Sequence, residues 1–299
     1  MELERWRALL CVIEEGSLSA AAERLHYTAS GISRMMAALE NEAGFPLLYR
    51  RHEGVIPTPE CLKLLPSVRE FLFHGEQCMA QAAAIRGLET GTVTIGTAYS
   101  AFYDLLASVT ALFRQKHPGI LVQLQSGFSS QMATMLEERQ IDLCIISRRE
   151  GAFDWYPLGQ DELTAWLPAG HPLADCPEVP ASLFGSEPYI EIFPGQDSDN
   201  ARFFRTCGIK PNTQFTTTDS HSACAMVEAG LGIALNNALN SQDRGDRIKV
   251  VPLSPRQSVE IGIAAVRSPS PAVRIFLDEL MRHTREADAL PAPLNAASH

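Results

Sequence analysis

No stretch of this 299-residue chain approaches the roughly 18 consecutive apolar residues of a membrane-crossing helix. Met1 leads into Glu2-Leu3-Glu4-Arg5, not into a basic and then apolar leader, so a soluble, cytoplasmic protein with no membrane partner is expected. Cysteine is sparse and unpatterned: seven residues, at 11, 61, 78, 144, 176, 207 and 224, with no C-x-x-C. That argues against a disulfide framework or a zinc site and predicts buried, reduced thiols. Catalytic signatures are missing too. The chain has no G-x-S-x-G elbow, no H-E-x-x-H and no G-x-G-x-x-G after a strand, and its eight histidines lack metal-ligand spacing. No catalytic residue, metal or cofactor is expected, and His171 in "AGHPLA" reads as a loop or packing residue. Positive charge is also in deficit. At a net charge of −10, any nucleic-acid binding must rest on a local patch.

What is present suits a soluble chain of two or three domains, with 45% hydrophobic and 20% charged residues. Leu3, Trp6, Leu9, Leu10 and Ile13 recur at helical spacing, predicting a first helix over Glu2 to Glu15 that Gly16 ends. Ser17 caps a second, Leu18 to Leu25, whose small run Ala20-Ala21-Ala22 lets another helix approach closely. His26-Tyr27 make the turn. Thr28 caps a third helix, with Ile32, Met35 or Met36, and Leu39 facing inward and Gly44 at its end. A plain helical bundle needs the same inward residues, so the outer face discriminates. Thr28, Ala29, Ser30, Ser33 and Arg34 there suit a helix laid against phosphates and base edges, where solvated helices more often carry Glu–Lys pairs.

Two short strands around Gly54 would then form a wing that brings Arg50, Arg51 and His52 to a phosphate backbone. Double-stranded DNA is the expected partner. Residues 1–58 hold six Lys/Arg against eight Asp/Glu, so affinity must come from Arg34, Arg50 and Arg51, multiplied by dimer symmetry. Thr58 and Pro59 open a long helix running to about Leu88. Its apolar stripe is Leu62, Leu65, Val68, Leu72 and Met79, of which Leu62, Leu65, Val68 and Leu72 are expected to be buried between two subunits of a homodimer or homotetramer, with Pro66 as a point of kinking.

From Gly91 the rhythm changes to strands alternating with helices, which predicts a mostly parallel α/β sheet in two successive units. In such units small ligands sit at the carboxyl ends of strands, against helix N-termini. That rule selects Ser100 and Ala101, Ser129 and Ser130, and Ser147 with Arg148 in the first unit. In the second it selects the 194–200 loop, with Gly195 and Ser198, and His221. Tyr99 and Phe128 would shape an apolar wall. Hydroxyls at helix N-termini favour an anionic ligand such as a carboxylate, although serines also cap helices that bind nothing.

The stretch "AAAERLHYTASGISRMMAALENEAGFPLLYRR" resembles the LysR-type transcriptional regulators. Ala21, Ala22, Leu25, Ser33, Leu39, Glu40, Gly44, Leu47 and Arg50 hold places in that family's pattern. Thr28 stands for its usual serine, Ala29 for its usual glutamine, and Gly31 for a common alanine, the last weakening the helix by about 1 kcal/mol. "LPAGHPLA" and "MVEAGLGIAL" are also family phrases. The resemblance implies an all-α, winged-helix N-terminal domain over 1–58 and a linker or dimerisation helix over 59–89. An α/β effector domain over 90–290, similar to a periplasmic binding protein, would follow. Its two subdomains would be 90–163 with 267–290, and 164–266, joined near 163–168 and 262–267; 291–299 would be a disordered tail. The implied function is DNA binding modulated by a small effector. Two alternatives stay open. One is a small-molecule binding protein whose helical domain has lost DNA binding, given Ala29 and the local charge. The other is a cysteine-based redox regulator using Cys207 and Cys224, although 195–200, where the family's reactive cysteine would sit, holds none.

Overall fold

The computed structural model describes residues 2–51, 54–85 and 90–286. It divides into two compact units, 1–87 and 88–299. His52 and the 291–299 tail lie outside the described residues.

In the first unit, helix α1 (Leu3–Glu15) ends at Gly16, whose φ of +60° suits a residue without a Cβ. Ser17 caps α2 (Leu18–Arg24), accepting from Ala20 N–H at 3.3 Å. Thr28 caps α3 (Ala29–Ala43), accepting from Gly31 N–H at 3.1 Å. The three helices close over Trp6, Leu9, Val12, Ala21, Ile32, Met36 and Leu39, all buried. Strands β1 (Leu48–Arg51) and β2 (Gly54–Pro57) then pair antiparallel as the wing. Glu40 Oε1 fixes where the wing begins, accepting from Leu47 N–H at 2.9 Å and Leu48 N–H at 3.2 Å. Val55 N–H donates to Gly16 O at 2.7 Å, and a Cβ on Gly54 would stand 2.7 Å from that same oxygen. The wing therefore needs glycine where it meets the end of α1.

Helix α4 (Pro59–Ile85) is capped by Thr58, whose Oγ1 accepts from Cys61 N–H at 3.0 Å and donates to Pro46 O at 2.9 Å. It runs through Pro66 without ending there. Its stripe is not what the sequence suggests. Leu65, Val68 and Leu72 are buried in the core of their own chain, with α1 and the wing, not held for a second subunit. Gly75 lies so close to Leu3 that a Cβ would fall 2.6 Å from a Leu3 methyl carbon. Leu62 and Met79 remain outside this core, 53% and 66% exposed.

The second unit is built on strands β3 (Gly91–Thr97), β4 (Ile120–Ser126), β5 (Leu143–Ser147) and β6 (Phe153–Pro168). Helices α5 (Tyr103–Lys116) and α6 (Ser129–Glu137) connect the first three. There follow β7 (Val179–Pro180), α7 (Leu183–Ser186), β8 (Tyr189–Ile192), α8 (Asp199–Cys207), β9 (Thr213–Thr217), α9 (Ser220–Glu228) and β10 (Ala234–Asn237). The unit closes with β11 (Ile248–Ser254), β12 (Ser258–Val266) and α10 (Pro271–Glu286). One eight-stranded sheet runs β4-β3-β5-β12-β6-β11-β7, with β10 also on β6, while β8 and β9 form a parallel pair.

The sheet is mixed, not mostly parallel. β3 pairs parallel with β4 and β5, but β12 is antiparallel to β5 and β6, and β10 and β11 are antiparallel to β6. β6 is the shared element: residues 153–162 pair with β12, and 163–168 pair with β10 and β11. The chain thus enters its second half near residue 163. It returns earlier than expected, through 255–257, because β12 from Ser258 onward belongs between β5 and β6. Each half has its own core. Ile95, Phe113, Ile263 and Phe276 fill the first; Leu167, Phe184, Tyr189 and Phe204 fill part of the second.

The cysteines also depart from expectation. All seven are free thiols, but Cys78 and Cys207 are exposed and Cys176 is half-buried. Burial pushes the Cys61 thiol up to about 11 and Cys144 higher still.

Candidate functional sites

The first site is the outer face of α3 with the wing. Thr28, Ala29, Ser30, Arg34, Arg50 and Arg51 are exposed and Ser33 is half-buried. The Thr28 and Ser30 hydroxyls lie 3.2 Å apart at the helix N-terminus. Arg34 Nε donates to Ser30 O at 3.4 Å, and Arg50 Nη2 reaches Ser33 Oγ at 3.5 Å, which ties wing to helix. The charge deficit resolves by location. Arg5, Arg7 and Arg24 are paired with Glu2, with Glu4 and Glu76, and with Glu14 and Glu15. Arg34, Arg50 and Arg51 have no carboxylate partner among the described residues, and Arg34 and Arg50 lie on the face that carries the helix N-terminus, each bonded to a serine of α3. Ala29 presents only a methyl group there.

The second site lies in the other unit, in a cavity of about 610 Å³ between the halves of the sheet. Of the candidates from sequence, Ser100, Ser129, Ser198 and His221 line it; Ala101, Ser130, Ser147 and Gly195 do not. Tyr99 and Phe128 also line it, and the Phe128 ring meets Phe193 from the opposite half at 5.2 Å between centroids. Ser100 stands at the turn before α5, Ser129 opens α6, Ser198 caps α8, and His221 is in the first turn of α9. Four helix N-terminal ends therefore face one space, as the strand-end rule requires. Ser129 Oγ already accepts from Ser147 N–H at 3.1 Å, while Ser100 Oγ makes only a long contact, 3.5 Å, to Asn240 Oδ1. Asp219 caps α9, and its bonds from Ser222 hold its carboxyl below the usual range.

The two serines outside the cavity are engaged elsewhere. Ser147 Oγ donates to Asp199 Oδ1 at 2.6 Å, and Ser130 Oγ donates to Asp197 O at 2.6 Å. Between them runs Arg149, which the sequence reading passed over in favour of its neighbour Arg148. Strand alternation was the available signal: residues two apart share a side, so Ser147 and Arg149 point inward together. Arg148 turns toward Trp155, 4.9 Å from the centroid of its ring, and a second cavity of about 290 Å³ is lined by Arg148 together with Ser147, Arg149 and Asp199. Asn200, from the expected 194–200 loop, also lines the main cavity; Asn236, Asn237 and Asn240 line it too and were missed, since amides carry no motif. Of the two cysteines considered for a redox switch, Cys207 is exposed at the end of α8 and Cys224 is buried in α9.

Comparison with known proteins bears on both units. Residues 3–62 match the family described as bacterial regulatory helix-turn-helix protein, lysR family, and residues 86–285 match the LysR substrate binding domain. The uncharacterized HTH-type transcriptional regulator YvbU of Bacillus subtilis is 25% identical over 283 residues, covering 93% of this chain and 97% of its own. The HTH-type transcriptional regulator BenM of Acinetobacter baylyi is 26% identical over 304 residues, covering 99% and 100%. Among solved structures, full-length CbnR complexed with its target DNA superposes with a TM-score of 0.61 at 22% identity, covering 96% of this chain and 100% of that one. A full-length OxyR variant from Pseudomonas aeruginosa gives 0.70 at 20% identity over 95% of both chains.

Proposed function

The chain belongs to the LysR family of transcriptional regulators, and on that premise we propose that a small molecule in the 610 Å³ cavity sets its hold on DNA. It is a DNA-binding regulator with an effector-binding domain, not an enzyme. The finer reading is a homodimer or homotetramer, acting in the cytoplasm, that reads a two-fold symmetric site with Thr28, Ala29, Ser30, Ser33 and Arg34. Arg50 and Arg51 grip phosphate from the wing. The observation that carries it is that Arg34 and Arg50, both without a carboxylate partner among the described residues, meet on α3 in a domain that is otherwise acidic, with Arg51 exposed beside them in the wing. The effector of this reading is a small molecule with acceptor oxygens, such as a carboxylate, because Ser100, Ser129 and the helix N-termini offer donors. It acts by population shift, favouring whichever subunit arrangement binds it better.

Selection from random DNA tests the reading directly. Wild-type protein should enrich a two-fold symmetric site; recovery of no symmetric site overturns it. Arg50→Ala and Arg51→Ala should weaken binding to all sequences alike and make the salt slope shallower by about 1 per subunit.

For the effector, a thermal-shift panel of small carboxylates should yield a ligand whose affinity falls about tenfold or more in Ser100→Ala, the loss of one charge-assisted hydrogen bond. Ser100 is the cleaner probe. Ser129→Ala would also leave Ser147 N–H without its partner. Equal affinity in wild type and Ser100→Ala moves the ligand away from that hydroxyl.

A further inference from the structure

Beyond the ends of the parallel strands β3 and β5, three donors from the first half of the effector domain converge: Tyr99 Oη, Ser147 Oγ and Arg149 Nη2. Together they form a seat for a carboxylate, and the seat is filled by the chain itself. Asp199, the first residue of α8 in the second half, accepts from Arg149 Nη2 at 2.7 Å and Ser147 Oγ at 2.6 Å through Oδ1. Its Oδ2 accepts from Tyr99 Oη at 3.1 Å. The pair is withdrawn from solvent, the Arg149 and Asp199 side chains being 5% and 10% exposed. The rest of the guanidinium is spoken for: Nε donates to Ser130 Oγ at 2.8 Å, and Nη1 donates to Ser147 Oγ at 2.7 Å and Arg148 O at 2.9 Å. Ser130 continues the seam by donating to Asp197 O at 2.6 Å.

We propose that Asp199 is a tethered ligand, occupying the carboxylate seat of Tyr99, Ser147 and Arg149 and so holding the two halves of the domain together when no effector is bound. A buried charge without its partner is costly, so the guanidinium alone strongly favours the closed arrangement. The seat is complete without Asp199, since all three donors come from one half and are held by the strand ends. The consequence for ligand class is specific. An effector in the cavity does not draw on Arg149 while the latch is closed, so its oxygens are met by hydroxyls and helix N-termini. Removing the Asp199 side chain turns the seat into a site for a small free carboxylate.

The test uses the full-length chain, with acetate as the probe and chloride at equal ionic strength as control. Asp199→Ala should melt below wild type, and acetate at a few times its dissociation constant should raise the melting temperature by about 2–4 °C. Wild type should show only whatever smaller acetate-specific rise the main cavity gives, and Asp199→Ala combined with Arg149→Met should fall back to that wild-type value. No acetate-specific rise in Asp199→Ala, or an equal rise in wild type, overturns the proposal. Should Asp199→Ala not fold, the near-isosteric Asp199→Asn carries the test, with one spin label on each half. Longer or broader label separations than in wild type support the latch, and an unchanged distribution overturns it. The inference rests on the effector reading only for the meaning of the cavity. No DNA enters the experiment, so its failure and that of the regulator reading are separable.

Discussion

Asp161 lies on β6 with 4% exposure, one carboxylate oxygen accepting from Leu239 N–H at 3.1 Å and the other without a hydrogen bond. Burial pushes its carboxyl up to about 7, against the pull of that N–H. A carboxyl whose folded value lies above its unfolded one binds a proton on folding, so stability is lost as pH rises from about 4 to about 7. Asp161→Asn cannot ionise. Its melting temperature relative to wild type should therefore climb between pH 5 and pH 7.5, and a constant difference would show that Asp161 is ionised in the folded chain. Asp197 behaves oppositely. Arg202, Arg205 and Ser130 hold it well below the usual carboxylate range, so its contribution is lost only in acid. Residues of this kind were the least legible in the sequence. Arg148 and Arg149 are chemically identical there, and only the alternation set by β5 sends one to the interior. Asp199 fell within the expected 194–200 ligand loop, but nothing in one dimension says that a seat in the other half awaits its carboxylate.

Among elements, α4 separates what periodicity can say from what it cannot. Its apolar spacing correctly marks a buried face, but the same spacing serves a partner subunit or the helix's own domain. With 27 residues and a length of about 40 Å, it has room for both. Leu65, Val68 and Leu72 are committed to the core with α1, while Leu62, Met79 and Ile85 stay exposed and are the residues the proposed dimer would use. Leu62→Asp should therefore yield folded monomers by light scattering. Leu65→Asp should instead unfold the N-terminal domain, lowering its melting temperature by several degrees or more through a charge stranded in the core. A folded, monomeric Leu65→Asp would return that residue to the subunit seam. The first three helices were legible because caps and glycines mark their ends. β6 was only half legible. The strand runs on through Pro157 and Gly159, and its pairing with β12 shifts register between Ile261 and Gly262. Gly262 has no Cβ to meet the Trp155 ring, which a substituted residue would approach to 2.5 Å.

For the whole molecule, the two-part organisation was readable because each part has its own rhythm, helical at first and alternating afterwards. The convergence of Ser100, Ser129, Ser198 and His221 followed from the strand-end rule. Which hydroxyls would be consumed by the opposite half depends on how the halves close, and that is a property of tertiary packing alone. The position of β12 has one more consequence, in time instead of space. The strand near the end of the sequence lies at the middle of the sheet, between β5 and β6. Until it emerges from the ribosome, the first half has two open strand edges facing each other across a gap, while β10, β11 and the second core can already close on β6. The inserted half can thus mature first, and the half that begins earlier in the sequence is completed last. A chain halted before Ser258 would present those unpaired edges to other nascent chains, which makes premature termination here a route to aggregation as well as to lost activity.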